Sequence, residues 1–189
     1  STGEADLNLN GVFNMSDGRL NSTSGTIYLL EGGELSGSGE FNFDNSTWEL
    51  AGDFISSGTL NFENTNLKLE KDITLTSDEA LSFVTLNLND FKLTLGSSTS
   101  DLTVENAITI DASTEGILTG GADLLLSALT LSDGGVTSTG GIVSLSGGGQ
   151  LSGTGKLDVS GSTWGLGEDF VKSSGTLSIS KTDLKLVNN

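Results

Sequence analysis

The sequence predicts an all-β fold, a single-stranded β-solenoid (parallel β-helix) of about 19–20 residues per coil and roughly ten coils. Three observations lead there. Short runs of alternating apolar and polar residues recur along the chain, a long stretch occurs twice, and an inner period of 19 residues runs through both copies.

The alternation fixes the element type. Phe41-Asn42-Phe43, Trp48-Glu49-Leu50, Leu60-Asn61-Phe62, Leu67-Lys68-Leu69, Leu86-Asn87-Leu88 and Leu93-Thr94-Leu95 all show it. A period of two puts every second side chain on one face, the mark of a half-buried strand. The runs return every six or seven residues with Gly, Ser, Asn and Asp between them, a spacing too short for helices or long hairpins. Three short strands and three corners per coil follow. Coils bonded at the ~4.8 Å strand spacing give a rod on the order of 45–50 Å long.

The long repeat sets the organisation. At an offset of 116, Gly32 to Phe54 and Gly148 to Phe170 agree at Gly32, Gly33, Leu35, Ser36, Gly37, Gly39, Ser46, Thr47, Trp48, Leu50, Asp53 and Phe54. One residue is inserted near Lys172, after which Ser57 to Leu60 match Ser174 to Leu177 and Leu67 to Leu69 match Leu184 to Leu186. The match extends backwards as well: Asp17-Gly18 and Ser22-Thr23 correspond to Asp133-Gly134 and Ser138-Thr139, and Phe13 and Met15 to Leu129 and Leu131. Residues 1–189 therefore read as one continuous solenoid in which about 1–72 is matched by about 118–189, with 73–117 present once.

Inside the long repeat, steps of 19 link Leu29, Trp48, Leu67 and Leu86; Leu35, Phe54 and Ile73; Phe43, Phe62 and Leu81; and Leu50, Leu69 and Leu88. In the second copy Leu126, Leu145 and Trp164 stand 19 apart, as do Leu151 and Phe170, while Leu157/Leu177 and Leu166/Leu186 step by 20. A turn of this length fits about six times into the long repeat. Between the copies, Ser97 to Asp101 and Asp111 to Gly116 read as polar corners. At the end, Asn188-Asn189 fall where the first copy runs on into the strand Ile73-Thr74-Leu75, so the rod reads as stopping in mid-array. Uncapped solenoid ends expose strand edges that favour stacking.

Composition narrows the class. The chain is 34% hydrophobic, with 27 Gly, no Pro and no Cys. Stability must then come from strand ladders and a thin stacked core, without disulfides. No apolar stretch is long enough to span a membrane as a helix. Eight Lys plus Arg against 25 Asp plus Glu give a net charge of −17, which speaks against nucleic acid and anionic membrane surfaces as partners. The acids read first as a device that keeps a β-rich surface soluble.

Without His or Cys, Ser-His-Asp and Cys-His catalysis and thiolate or imidazole metal sites are excluded, and the chain reads as a non-enzyme. Gly153-Thr154-Gly155-Lys156 lacks the spacing of a phosphate loop and has Glu40 in place of Lys156 in the first copy. Glu34, Asp53 and Asp72 stand 19 apart and would form an acidic column to which calcium could bind, although the second copy dilutes it to Gln150, Asp169 and Asn189. The better reading is a solvated corner without a metal. Asn42/Asn61 and Asn45/Asn64 share the step of 19 and suit amide ladders. Paired carboxylates alone do not make a glycosidase here, since no long loop interrupts the repeat and Arg19 is the only arginine. Trp48 and Trp164 each precede a leucine facing the same way and read as core fillers rather than sugar platforms. Thr74-Leu75-Thr76 has the local look of an ice-binding threonine ladder but does not persist at the coil period. Asn14, Asn21 and Asn45 head glycosylation acceptor patterns.

Thr85-Leu86-Asn87-Leu88-Asn89, Lys92 to Ser97, and Leu157 to Thr163, with the absence of Cys, resemble the repeat tracts of secreted bacterial β-solenoid surface proteins. These include giant adhesins, filamentous-haemagglutinin-like proteins and autotransporter passengers. The resemblance covers the whole chain and implies an extracellular fibre or stalk that mediates attachment. The expected function is a structural repeat unit of a cell-surface filament, stalk or adhesin. Its expected partners are copies of itself end to end, flanking repeats of a longer chain, or surface glycans. The alternative is a carbohydrate-binding adhesin or polysaccharide-active β-helix domain with a lateral groove. A phage tail-fibre shaft would instead imply trimers.

Overall fold

In the computed structural model, which describes residues 4–96, 99, 101–111 and 116–186, each alternating run becomes a strand. The polar corners expected around Ser97–Asp101 and Asp111–Gly116, and Asn188-Asn189, lie wholly or partly outside these residues. The described residues form 27 strands and no helix, and every pairing between them is parallel.

The strands fall into threes, and with two breaks each pairs with the third strand before it and the third after it. The first coil consists of Leu7–Leu9, Phe13–Met15 and Arg19–Ser22, and the last of Phe170–Lys172, Thr176–Ser178 and Asp183–Leu186. They define three faces of a prism. The second face, from Phe13–Met15 to Thr176–Ser178, is one unbroken ladder of nine strands. The first face is split after Thr85–Asn87 into ladders of five and four strands, and the third after Thr59–Glu63 into three and six. Nine rungs make about eight turns, not the roughly ten expected, and the rod is about 38 Å long at the usual strand spacing.

The shortfall comes from register. The expected step of 19 holds for Trp48 on Leu67, Leu67 on Leu86, Phe43 on Phe62 and Leu126 on Leu145, and the step of 20 for Leu157 on Leu177 and Leu166 on Leu186. Elsewhere the coil is longer. Leu29 lies on Leu50 and Trp48 on Ile27; Phe54 lies between Gly33 and Leu75; Trp164 lies on Val143 and Phe170 on Gly149. On the second face the steps range from 18, at Gly120 to Ser138 across a register shift, to 24, at Leu93 to Ile117.

The two copies of the long repeat match strand for strand, and each strand of the second lies seventeen strands beyond its counterpart. Seventeen is five turns and two strands over. The repeat is therefore five and two-thirds turns, close to the six expected but not a whole number, and equivalent strands sit on different faces: Ser46–Leu50 belongs to the first face, Thr163–Leu166 to the third.

Inward side chains stack into one continuous core. In the first half it is aromatic: Trp48 meets Phe54 at 5.0 Å edge-on and Phe62 at 5.2 Å, and Phe62 meets Phe83 at 5.1 Å. In the second copy Phe41 and Phe43 are replaced by Leu157 and Val159, and only Trp164 on Phe170, at 5.0 Å, keeps the pairing. Each large buried side chain contributes ~1.5–3 kcal/mol. The corners need glycine where the coils touch: Gly32 and Gly148 have φ of 68° and 71°. A β-carbon on either would run into the carbonyl oxygen of Asp53 or Asp169 in the next coil.

Candidate functional site

Carboxylates join the coils. An aspartate at or just before the start of a strand accepts the backbone N–H of a residue one coil on. Asp6 takes the N–H of Thr26 at 2.7 Å, Asp53 that of Thr74 at 2.6 Å, Asp72 that of Lys92 at 2.9 Å and Asp123 that of Ile142 at 2.7 Å. Glu79 reaches back to Leu60 N–H at 2.8 Å. Five of the 25 acids thus accept backbone N–H groups across coil junctions, beyond the solubility role expected from composition.

A second carboxylate device is repeated in both copies. Asp17 accepts from Gly18 N–H and the Ser38 hydroxyl; Asp133 accepts from Gly134 N–H and the Thr154 hydroxyl. In each the side-chain hydroxyl, then the backbone N–H, holds the carboxyl below the ordinary aspartate range. The hydrogen bond from Arg19 likewise lowers Glu40, with an N–O separation of 2.6 Å. The hydrogen bond to Glu70, then that to Glu49, raises Lys68, with contacts at 2.7 and 3.2 Å.

The acidic column is corrected by the register. Glu34 stands beside Ile55, while Asp53 and Asp72 are turned to the N–H groups of Thr74 and Lys92. The three carboxylates do not stack. Its second-copy member Asn189 lies outside the described residues. Among the described residues no three acids converge on a point.

One asparagine pair behaves as its spacing suggests. Asn61 donates to Asn42 at 2.6 Å and Asn42 to Asn21 at 3.0 Å, so the ladder runs one rung further than the sequence reading placed it. Asn45 and Asn64 instead turn corners, each with φ of 49°, a left-handed conformation that asparagine tolerates. The ladder lines a groove of about 440 Å³ with Asp44 and Glu63 along one side.

Gly153 to Lys156 offers no phosphate cradle. The N–H groups of Thr154, Gly155 and Lys156 bond to the carbonyls of Ser132, Ser152 and Gly134. Trp48 and Trp164 are 0% and 5% exposed, and neither indole N–H has a hydrogen-bond partner. They fill the core and present no ring to a sugar.

One feature escaped the sequence. The break in the first face opens a cleft of about 270 Å³ between Thr85–Asn87 and Ile108–Ile110, lined by Asn87, Asn89, Asp90, Thr109 and Asp111. It lies in the segment that occurs once, which was the only signal available. In the last described coil Leu184 and Leu186, which continue the columns of Trp164 and Leu166, are 58% and 74% exposed.

No family model, curated protein or solved structure matches the chain.

Proposed function

We propose that the chain is a structural segment of an extracellular filament, stalk or adhesin, and that it extends by adding strands to its coil ends. One observation carries this reading. A ladder of nine parallel strands, each lying edge to edge on the strand of the next coil, runs along the second face without a break. Parallel edges of this kind template further strands, and stacked coils resist bending and stretching through every rung at once. Copies of the chain, or flanking solenoid coils, supply the added strands.

Negative-stain electron microscopy over a concentration series, with and without calcium, tests the reading. Filaments one solenoid wide that lengthen with concentration support it. Short rods of uniform length under every condition overturn self-extension, and binding to a glycan at the Asn87 to Asp111 cleft would then favour the groove reading.

A further inference from the structure

We infer that the rod has a built-in breakpoint between its fifth and sixth coils, where it parts under denaturant or load into two blocks, residues 7–104 and 108–186. The order of unfolding stands on the strand ladders alone. Its use, as the place where a stalk yields first, rests on the filament reading.

A solenoid is held by the interfaces between neighbouring coils, so it separates where one interface is poorest. At this junction the first face has no ladder, because Thr85–Asn87 and Ile108–Ile110 do not pair. The second face contributes two residue pairs, Leu93 with Ile117 and Thr94 with Leu118, and the third contributes four. The junctions immediately before and after it carry three pairs on each face. One of the four third-face pairs sets Asp101 beside Asp123, and like charges in register oppose the pairing.

The facing strand edges are left open. Ile108 N–H bonds to the Ala128 carbonyl at 2.9 Å, and the Ile110 carbonyl accepts Ser132 N–H at 3.0 Å, both toward the following coil. Backbone direction alternates along a strand, so Thr109 between them turns its own N–H and carbonyl toward the break. No added strand can fill the gap. The two strands approach within 8 Å between α-carbons, whereas an inserted strand needs two spacings of ~4.8 Å.

The other interrupted ladder shows what a reinforced break looks like. Between Thr59–Glu63 and Leu81–Phe83 the Glu79 carboxylate accepts Leu60 N–H at 2.8 Å, and Phe62 meets Phe83 at 5.1 Å. Neither device recurs at the fifth junction. Among the described residues, ring contacts run from Phe13 to Phe83 and resume only at Trp164 and Phe170. The breakpoint also falls in the segment present once, so each block holds one copy of the long repeat.

Hydrogen exchange followed amide by amide with NMR across a urea series locates the breakpoint. Amides before residue 104 and amides after residue 108 should lose protection as two groups, with midpoints about 0.5 M or more apart. The Thr109 amide should exchange at least about tenfold faster than those of Ile108 and Ile110. The chain has no cysteine, so a bridge can be placed cleanly. Asn87→Cys/Thr109→Cys closed by a short bis-maleimide spans the break and should bring the two midpoints together. The same bridge at Thr130→Cys/Gln150→Cys, register partners inside the second block, should leave them apart. Asp101→Asn removes the repulsion and should narrow the separation. A single midpoint along the whole chain, fraying from the ends with no step at 104–108, or a step at Thr59–Glu63 overturns the breakpoint and leaves the filament reading standing. Two-block unfolding in a chain that forms no filaments upholds the breakpoint and overturns its role in a stalk.

Discussion

The hydroxyl oxygens of Ser22 and Ser46 lie 3.0 Å apart inside a sealed corner of the prism, and those of Ser138 and Ser162 lie 2.8 Å apart in the equivalent corner of the second copy. All four residues are buried. Each pair also satisfies corner carbonyls: Ser22 donates to Ser24 and Ser138 to Gly140. Ser22→Ala leaves the part-buried Ser24 carbonyl without this donor and removes the acceptor of the Ser46 hydroxyl, and should cost ~1–3 kcal/mol in urea unfolding. The Ser22→Ala/Ser46→Ala pair should cost less than the sum of the two single changes, because the hydroxyls act as one unit.

Trp48→Ala removes the centre of an aromatic cluster that includes Phe41, Phe43, Phe54, Phe62 and Phe83. A loss of ~3–5 kcal/mol is expected. Trp164 has a single aromatic neighbour, Phe170, and lies one coil from the open end. Trp164→Ala should therefore cost less, and the two variants should rank in that order by urea midpoint.

Gly32 and Gly120 separate two costs that are often confounded. Both have positive φ, 68° and 57°, yet a β-carbon at Gly120 meets nothing and one at Gly32 meets the Asp53 carbonyl. Gly120→Ala should cost ~1–2 kcal/mol for its conformation alone. Gly32→Ala should cost clearly more and lower the melting temperature further.

The Asp17 and Asp133 carboxyls are held low by hydrogen-bond donors. A depressed folded-state value contributes stability that is complete above the unfolded aspartate pKa, about 3.9, and is lost as pH falls through the folded value. Asp17→Asn/Asp133→Asn keeps an acceptor but no charge. The stability difference between parent and variant should stay level from about pH 7 to 5 and shrink below about pH 4. Denaturant unfolding across that range checks it.

Strand identity, the three-sided coil and the inward-facing residues were legible because alternation marks which side chains face inward. Register was legible to within about two residues in the repeated parts and not in the segment present once, where Leu93 steps by 24 to Ile117. From Leu29, a step of 19 reaches Trp48 and a step of 21 reaches Leu50, and both point inward. Alternation cannot tell them apart, and glycine-rich corners absorb the two extra residues without disturbing the core. The acidic column failed for this reason: Asp53 lies beside Thr74, and Glu34 beside Ile55. Aspartates that accept an N–H from the next coil depend on the same register and were hidden with it. Asn42 and Asn61 were found because their coil is one of those that does step by 19.

The seventeen-strand spacing governs how a longer array of this repeat would look from outside. Each copy arrives two-thirds of a turn around from the one before, as Trp48 and Trp164 already illustrate by occupying the first and third faces. Three copies restore the starting orientation, because fifty-one strands make seventeen whole turns. Any surface patch borne once per copy is then dealt to the three sides in rotation. Such a fibre has no front or back: it bends alike in every direction and meets its surroundings with the same chemistry all the way round.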